Sequence, residues 1–189
     1  MDTRGQILAA ALRLFAEQGY DAVGVQAIVD TVAVTKPTLY HYFGSKRGLF
    51  EILVREQAFP LVEAVREAAH YEGDLTRSIQ KLVRAYFGYA GNHPLYYRMM
   101  LSMWFAPPSS EYFPVVQEVL VEQHRLIEAM FREAVVNHGN MQGRHLQYAV
   151  SLKGMIDTYI GMSLRGLVRL NDDAFEHRII HQFMYGIFS

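Results

Sequence analysis

The stretch from Val25 to Lys46 constrains this chain more than any other. Val25, Ile28, Val29 and Val32 recur at helical spacing and lay one apolar stripe along a two-turn helix. Ala33-Val34 interrupts the pattern, and Thr35 opens a second short helix as an N-cap whose hydroxyl can accept from the Thr38 amide. Pro37 suits the first turn, where an amide has no intrahelical partner to lose. On that second helix Leu39 and Phe43 stack inward. Pro37, Thr38 and His41 point away, with Tyr40 and Tyr42 on the flanks. Two short helices braced across a tight turn, the second with a polar and aromatic outer face, make a helix-turn-helix suited to the DNA major groove.

Residues on either side carry a resemblance. Ile7-Leu-Ala-Ala-Ala-Leu-Arg-Leu-Phe15, Glu17-Gln-Gly-Tyr20, Val34-Thr-Lys-Pro-Thr-Leu-Tyr40, and Phe43-Gly-Ser-Lys46 with Leu49 follow in order. Together they resemble the N-terminal domain of TetR-family transcriptional regulators. The likeness runs from Arg4 to Phe50, and beyond residue 55 it is one of architecture alone. It implies a DNA-binding domain over residues 1–47 and a ligand-binding and dimerisation domain over residues 48–189. By position it implies that Thr35, Lys36, Pro37, Thr38 and His41 face base edges. Tyr40, Tyr42 and Lys46 would hold phosphates, with Gln26 of the supporting helix nearby. The chemistry of these side chains agrees: hydroxyls and imidazole exchange hydrogen bonds with base edges, and the Pro37 ring and Thr38 methyl suit a thymine methyl. Phosphate contacts set register without reading sequence.

The chain departs from the family's pattern at two places. Ala33 stands where the turn usually has glycine, which costs about 1 kcal/mol if the backbone there is left-handed. Val23-Gly24-Val25 stands where a threonine or serine usually caps the supporting helix and touches phosphate.

Composition bounds the rest. With 51% hydrophobic and 20% charged residues over 189 positions, the chain is globular. The net charge of −1 does not by itself suggest nucleic acid. Residues 1–55 hold six basic side chains (Arg4, Arg13, Lys36, Lys46, Arg47, Arg55) against five acidic ones (Asp2, Glu17, Asp21, Asp30, Glu51). Placement matters more than this sum, since Lys36, Lys46 and Arg47 surround the second helix. The absence of cysteine excludes disulfides and thiolate metal sites and suits a cytoplasmic protein. No apolar run of about 18 residues is present, so no membrane span is expected, and the N-terminus has no signal-peptide pattern.

Read onward, the chain is all-α: a three-helix N-terminal domain, then a larger helical domain, about nine helices in all. Thr3-x-x-Gln6 reads as a capping box for the first helix, and Gly19 as its stop. Ser45 caps a fourth helix that continues towards Tyr71 and should kink at Pro60. Asp74 caps the next, about Leu75 to Gly91. A long helix runs from Pro114 to His138-Gly139, another from Arg144 to Arg169. Asn171-Asp-Asp173 caps the last helix, with Glu176 at its third position.

The helix from Arg144 is apolar almost all round, which requires burial on two sides. Gly154 and Gly161 allow a partner helix to approach, beside Leu164. The last helix adds Ile180, Phe183, Met184, Ile187 and Phe188. A C2 homodimer across these two helices is expected, and with it a palindromic operator. Met99, Met100, Met103, Trp104 and Phe105 form the densest run of thioether and aromatic side chains. With Tyr86, Tyr89, Tyr96 and Tyr159 they suggest an adaptable apolar pocket for a small hydrophobic effector. Ligand binding would shift the population of DNA-competent states through the kinked fourth helix.

No phosphate loop, nucleophile elbow or zinc-protease motif is present, so the chain is not read as an enzyme, and no cofactor is expected. His177 and His181 have chelating spacing, and His138, His145 and Glu176 are possible third ligands, but no metal is expected. The alternative to a regulator is a helical small-molecule binder with weakened or lost DNA binding. Repression rather than activation is carried by resemblance alone.

Overall fold

In a computed structural model, residues 2–170 and 172–186 are described, and they form nine α-helices with no strand. Asn171, Ile187 and Phe188, invoked above for a cap and an apolar face, lie outside the described residues. The helices are α1 (Thr3–Gln18), α2 (Val25–Thr31), α3 (Lys36–Phe43), α4 (Lys46–Ala68), α5 (Leu75–Asn92), α6 (Pro94–Met103), α7 (Phe113–Ala134), α8 (His145–Ser163) and α9 (Asp173–Tyr185). A single 3-10 turn, Gly139–Met141, follows α7.

The chain divides into two compact units: Met1–Phe59 with Pro94–Val119, and Pro60–His93 with Leu120–Ser189. In the first, Ile7, Leu8, Ala11 and Phe15 of α1 are buried, as the periodicity requires, and α1 packs against α2, α3 and α6. Tyr20 closes this core. Its ring meets Phe50 at 5.1 Å edge-on, Phe15 at 5.3 Å and Tyr112 at 5.1 Å, and its hydroxyl donates to Glu111 at 3.0 Å. Burial and that bond push the phenol pKa upward, so it stays protonated and a donor. In the second unit α5 packs against α8 and α9, with Ile79, Leu82, Val83, Ile127, Leu152 and Ile156 out of solvent.

Several boundaries differ from expectation for local reasons. The cap of α1 is Asp2, whose carboxylate accepts from the Gly5 amide at 2.7 Å, and Thr3 is already helical. Two adjacent residues can each cap, and the anion is the better acceptor at a helix N-terminus. Asp172 caps α9, accepting from the amides of Ala174 and Phe175, so Glu176 falls one place later than the third position. There it is buried and takes a 2.7 Å bond from Arg84. α7 stops at Ala134, short of His138. α8 stops at Ser163 rather than Arg169, and the apolar residues beyond it form a turn around Gly166, where φ is 74°. α4 carries Pro60 in its interior and ends at Ala68, short of Tyr71.

Candidate nucleic-acid interface

Residues 24–48 build the candidate interface. Gly24 caps α2 through its backbone only, with no side-chain bond. Ile28 and Val29 are buried, and the Val34 amide turns back to the Val29 carbonyl at 3.1 Å, which closes the turn. Ala33 sits at that corner with φ of 52°, the left-handed conformation that its glycine-like position anticipates. Thr35 caps α3: its hydroxyl accepts from the Thr38 amide at 3.3 Å and shares a 2.9 Å bond with the Thr38 hydroxyl. Leu39 and Phe43 are buried, so α3 can present only its other side.

That side bears Lys36, Pro37, Tyr40, His41 and Tyr42, all exposed, with Thr38 half-buried. Tyr40 and Tyr42 keep 44% and 41% of their surface, unusual for phenols with no partner segment to cover them. The His41 ring stands edge-on to Tyr42 at 5.4 Å. Gln26 is exposed on α2 and bonds to Asp30 at 2.6 Å. Lys46 is placed differently from the rest. Its ammonium donates to the Tyr20 carbonyl at 2.6 Å and lies 4.0 Å from the Tyr20 ring centre. It is half-buried, and burial lowers its pKa. Arg47 is paired with Glu51 at 2.8 Å.

One residue of this region was passed over in the sequence. A Cβ added at Gly48 would stand 2.1 Å from the Phe43 carbonyl oxygen. The first turn of α4 therefore rests directly on the end of α3. The signal was present as Gly-Ser-x-x-Gly, with the Ser45 hydroxyl accepting from the Gly48 amide at 2.9 Å.

The other candidate residues separate by unit. On α6, Tyr96, Met99, Met100 and Met103 are buried in the first unit, while Trp104 and Phe105 lie beyond the helix and are exposed. Tyr86 and Tyr89 of α5 are buried in the second unit, the latter stacked on His93 at 4.3 Å. Tyr159 is half-buried and edge-on to Phe175 at 5.3 Å. For the expected dimer face, Gly154 is exposed, and a Cβ there would meet nothing within 4 Å. Gly161, Leu164, Phe183 and Met184 are half-buried, and Leu146 and Val150 are exposed on the same stripe of α8. Ile180, by contrast, keeps only 3% of its surface, so its area is already used within its own unit. His177 and His181 are exposed with ring centres 6.1 Å apart. Glu176 is held by Arg84, His145 lies 2.9 Å from Glu128, and no group of three metal-ligating residues occurs among the described residues.

Comparison with known proteins bears on residues 7–53, which match the family model described as bacterial regulatory proteins, tetR family. Residues 7–53 belong to the TetR family. Among curated relatives, the HTH-type transcriptional activator FasR of Mycolicibacterium smegmatis is 33% identical over 99 residues, 52% of this chain and 45% of that protein. The transcriptional repressor AcnR of Corynebacterium diphtheriae is 39% identical over 64 residues, 34% of each chain. The matches thus span less than half the length of these relatives. Among solved structures, the TetR-family regulator PfmR of Thermus thermophilus superposes with a TM-score of 0.76 at 20% identity, over 99% of this chain and 98% of that one. FadR of Bacillus subtilis, solved with stearoyl-CoA, gives a TM-score of 0.78 at 18% identity, over 97% and 98%. At such identities the likeness is one of fold: an N-terminal helix-turn-helix and a C-terminal helical domain.

Proposed function

We propose that this chain is a DNA-binding transcription regulator, a repressor released from a palindromic operator by a small hydrophobic effector. The observation that carries the reading is α3 itself. Its apolar side is buried, its cap is formed, and it exposes Lys36, Pro37, Tyr40, His41 and Tyr42 together. Exposed phenols beside an imidazole on a braced helix have the chemistry of base and phosphate contact. Thr35, Thr38, Gln26 and Lys46 complete the proposed contact set, and Lys46 would have to keep or exchange its Tyr20 bond on binding DNA.

The reading assigns DNA binding to residues 1–47 and effector binding and dimerisation to residues 48–189. Leu146, Val150, Gly154 and Gly161 give α8 a partly exposed stripe suited to a second copy, continued by Leu164 just past its end, with Phe183 and Met184 of α9 beside it. A C2 pair would present two copies of α3 to half-sites. The stearoyl-CoA complex of the similarly folded FadR supports an effector with a long apolar part. The protein would act in the cytoplasm.

A second reading has two observations in its favour. Gly24 gives α2 no capping hydroxyl and Lys46 is turned to a carbonyl, so a helical small-molecule binder with weakened DNA contact is the competing function. Fluorescence anisotropy with DNA from the gene's own upstream region, and with sequences selected from a random pool, separates the two. The regulator reading expects competitor-resistant binding that weakens as salt rises. A selection that yields no preferred sequence would establish the binder instead.

A further inference from the structure

The second unit holds one polar cluster that its stability does not call for. Lys153 on α8 donates to Asp157 Oδ1 at 2.6 Å, and its ammonium stands 5.0 Å from the Tyr86 ring centre. Tyr86, fully buried on α5, donates to Gln123 Oε1 on α7 at 2.9 Å, and Gln123 is buried too. Three helices thus bring polar groups to one point, while their own neighbours Leu82, Val83, Ile127, Leu152 and Ile156 are apolar and out of solvent. A buried ammonium loses its hydration, and an apolar side chain of similar length in its place is commonly neutral or stabilising. Packing alone therefore leaves this lysine without a reason.

The two partners are not equivalent. The Lys153 side chain keeps 3% of its surface and that of Asp157 keeps 27%. The carboxylate reaches solvent, whereas the ammonium does not. An incoming carboxylate that takes Asp157's place leaves the buried charge balanced. Burial lowers the Lys153 pKa and Asp157 opposes that, so a second anion at the same spot favours the charged form in the same way.

We infer that Lys153 reads the acidic end of the effector, a carboxylate on an otherwise apolar molecule, by exchanging Asp157 for it. The inference rests on the effector reading above and adds the ligand's charge to it. Isothermal titration of the 189-residue chain with saturated fatty acids and the matching primary alcohols tests it. The acid is expected to bind about tenfold tighter than the alcohol of equal length. Lys153→Met should erase that preference. Asp157→Asn should strengthen acid binding, and it decides alone if Lys153→Met does not fold by circular dichroism. Equal binding of acids and alcohols to the unmodified chain, or equal weakening of both by Lys153→Met, overturns the inference and leaves the effector reading standing. Binding of neither series overturns both.

Discussion

Two backbone positions of the helix-turn-helix have opposite tolerance for a methyl group. Ala33 is exposed and left-handed at φ of 52°, so its Cβ adds strain and no packing. Ala33→Gly should stabilise the chain by about 0.5 kcal/mol, the strain relieved less the flexibility gained when unfolded. Urea unfolding checks the sign, and a loss of stability would mean that chain entropy outweighs strain there. Gly48 is the reverse case. Its missing Cβ is what lets α4 rest on the Phe43 carbonyl, so Gly48→Ala must move backbone and should cost about 1–3 kcal/mol. An unchanged urea midpoint would show that the α3–α4 junction opens freely. Neither effect depends on what the interface binds.

Among the elements, α7 carries the clearest pH response. Glu122 accepts from Arg125 at 2.8 Å, and from Arg66 of α4 at 3.0 Å, and these bonds depress its pKa from 4.5 to about 2. A depressed carboxylate contributes stability that is present above the unfolded value of 4.5 and lost as pH falls through about 2. Glu122→Gln should therefore lower stability at neutral pH and flatten its decline across that acid window, read as the difference between two sets of urea curves. Much of this architecture was legible in the sequence, because stripes such as Ile7, Leu8, Ala11, Phe15 and the cap at Thr35 are local signals that packing then respected. The misses were local ambiguities. Asp2 and Thr3 are both cap residues, and Leu164, Leu167, Val168 and Leu170 are apolar whether their segment is helix or turn. Lys153 escaped notice because it sits inside an apolar run, although its register with Ala149, Ile156 and Ile160 marks it as inward. Lys46 could not be placed from sequence, since its partner is a main-chain oxygen twenty-six residues away. The division of the effector candidates between two units had no sequence signal either.

At the scale of the molecule the proposed dimer is the sharpest claim to test. Val150 is half exposed on α8, so Val150→Glu should leave the protomer's unfolding curve unchanged while converting a dimer to a monomer. Light scattering after size exclusion reads the mass directly, and an unmodified chain that is monomeric at high concentration rules the face out. DNA affinity should fall with the dimer, because a lone α3 reads one half-site. The first compact unit is not continuous along the chain: Met1–Phe59 needs Pro94–Val119, and α1 buries its apolar side against α6. A gene fragment ending at codon 59 would therefore encode an incomplete fold with Tyr20 stripped of Glu111 and Tyr112. Recombination that transplants this unit into another protein needs more than one crossover, so it would be inherited together with the segment it encloses.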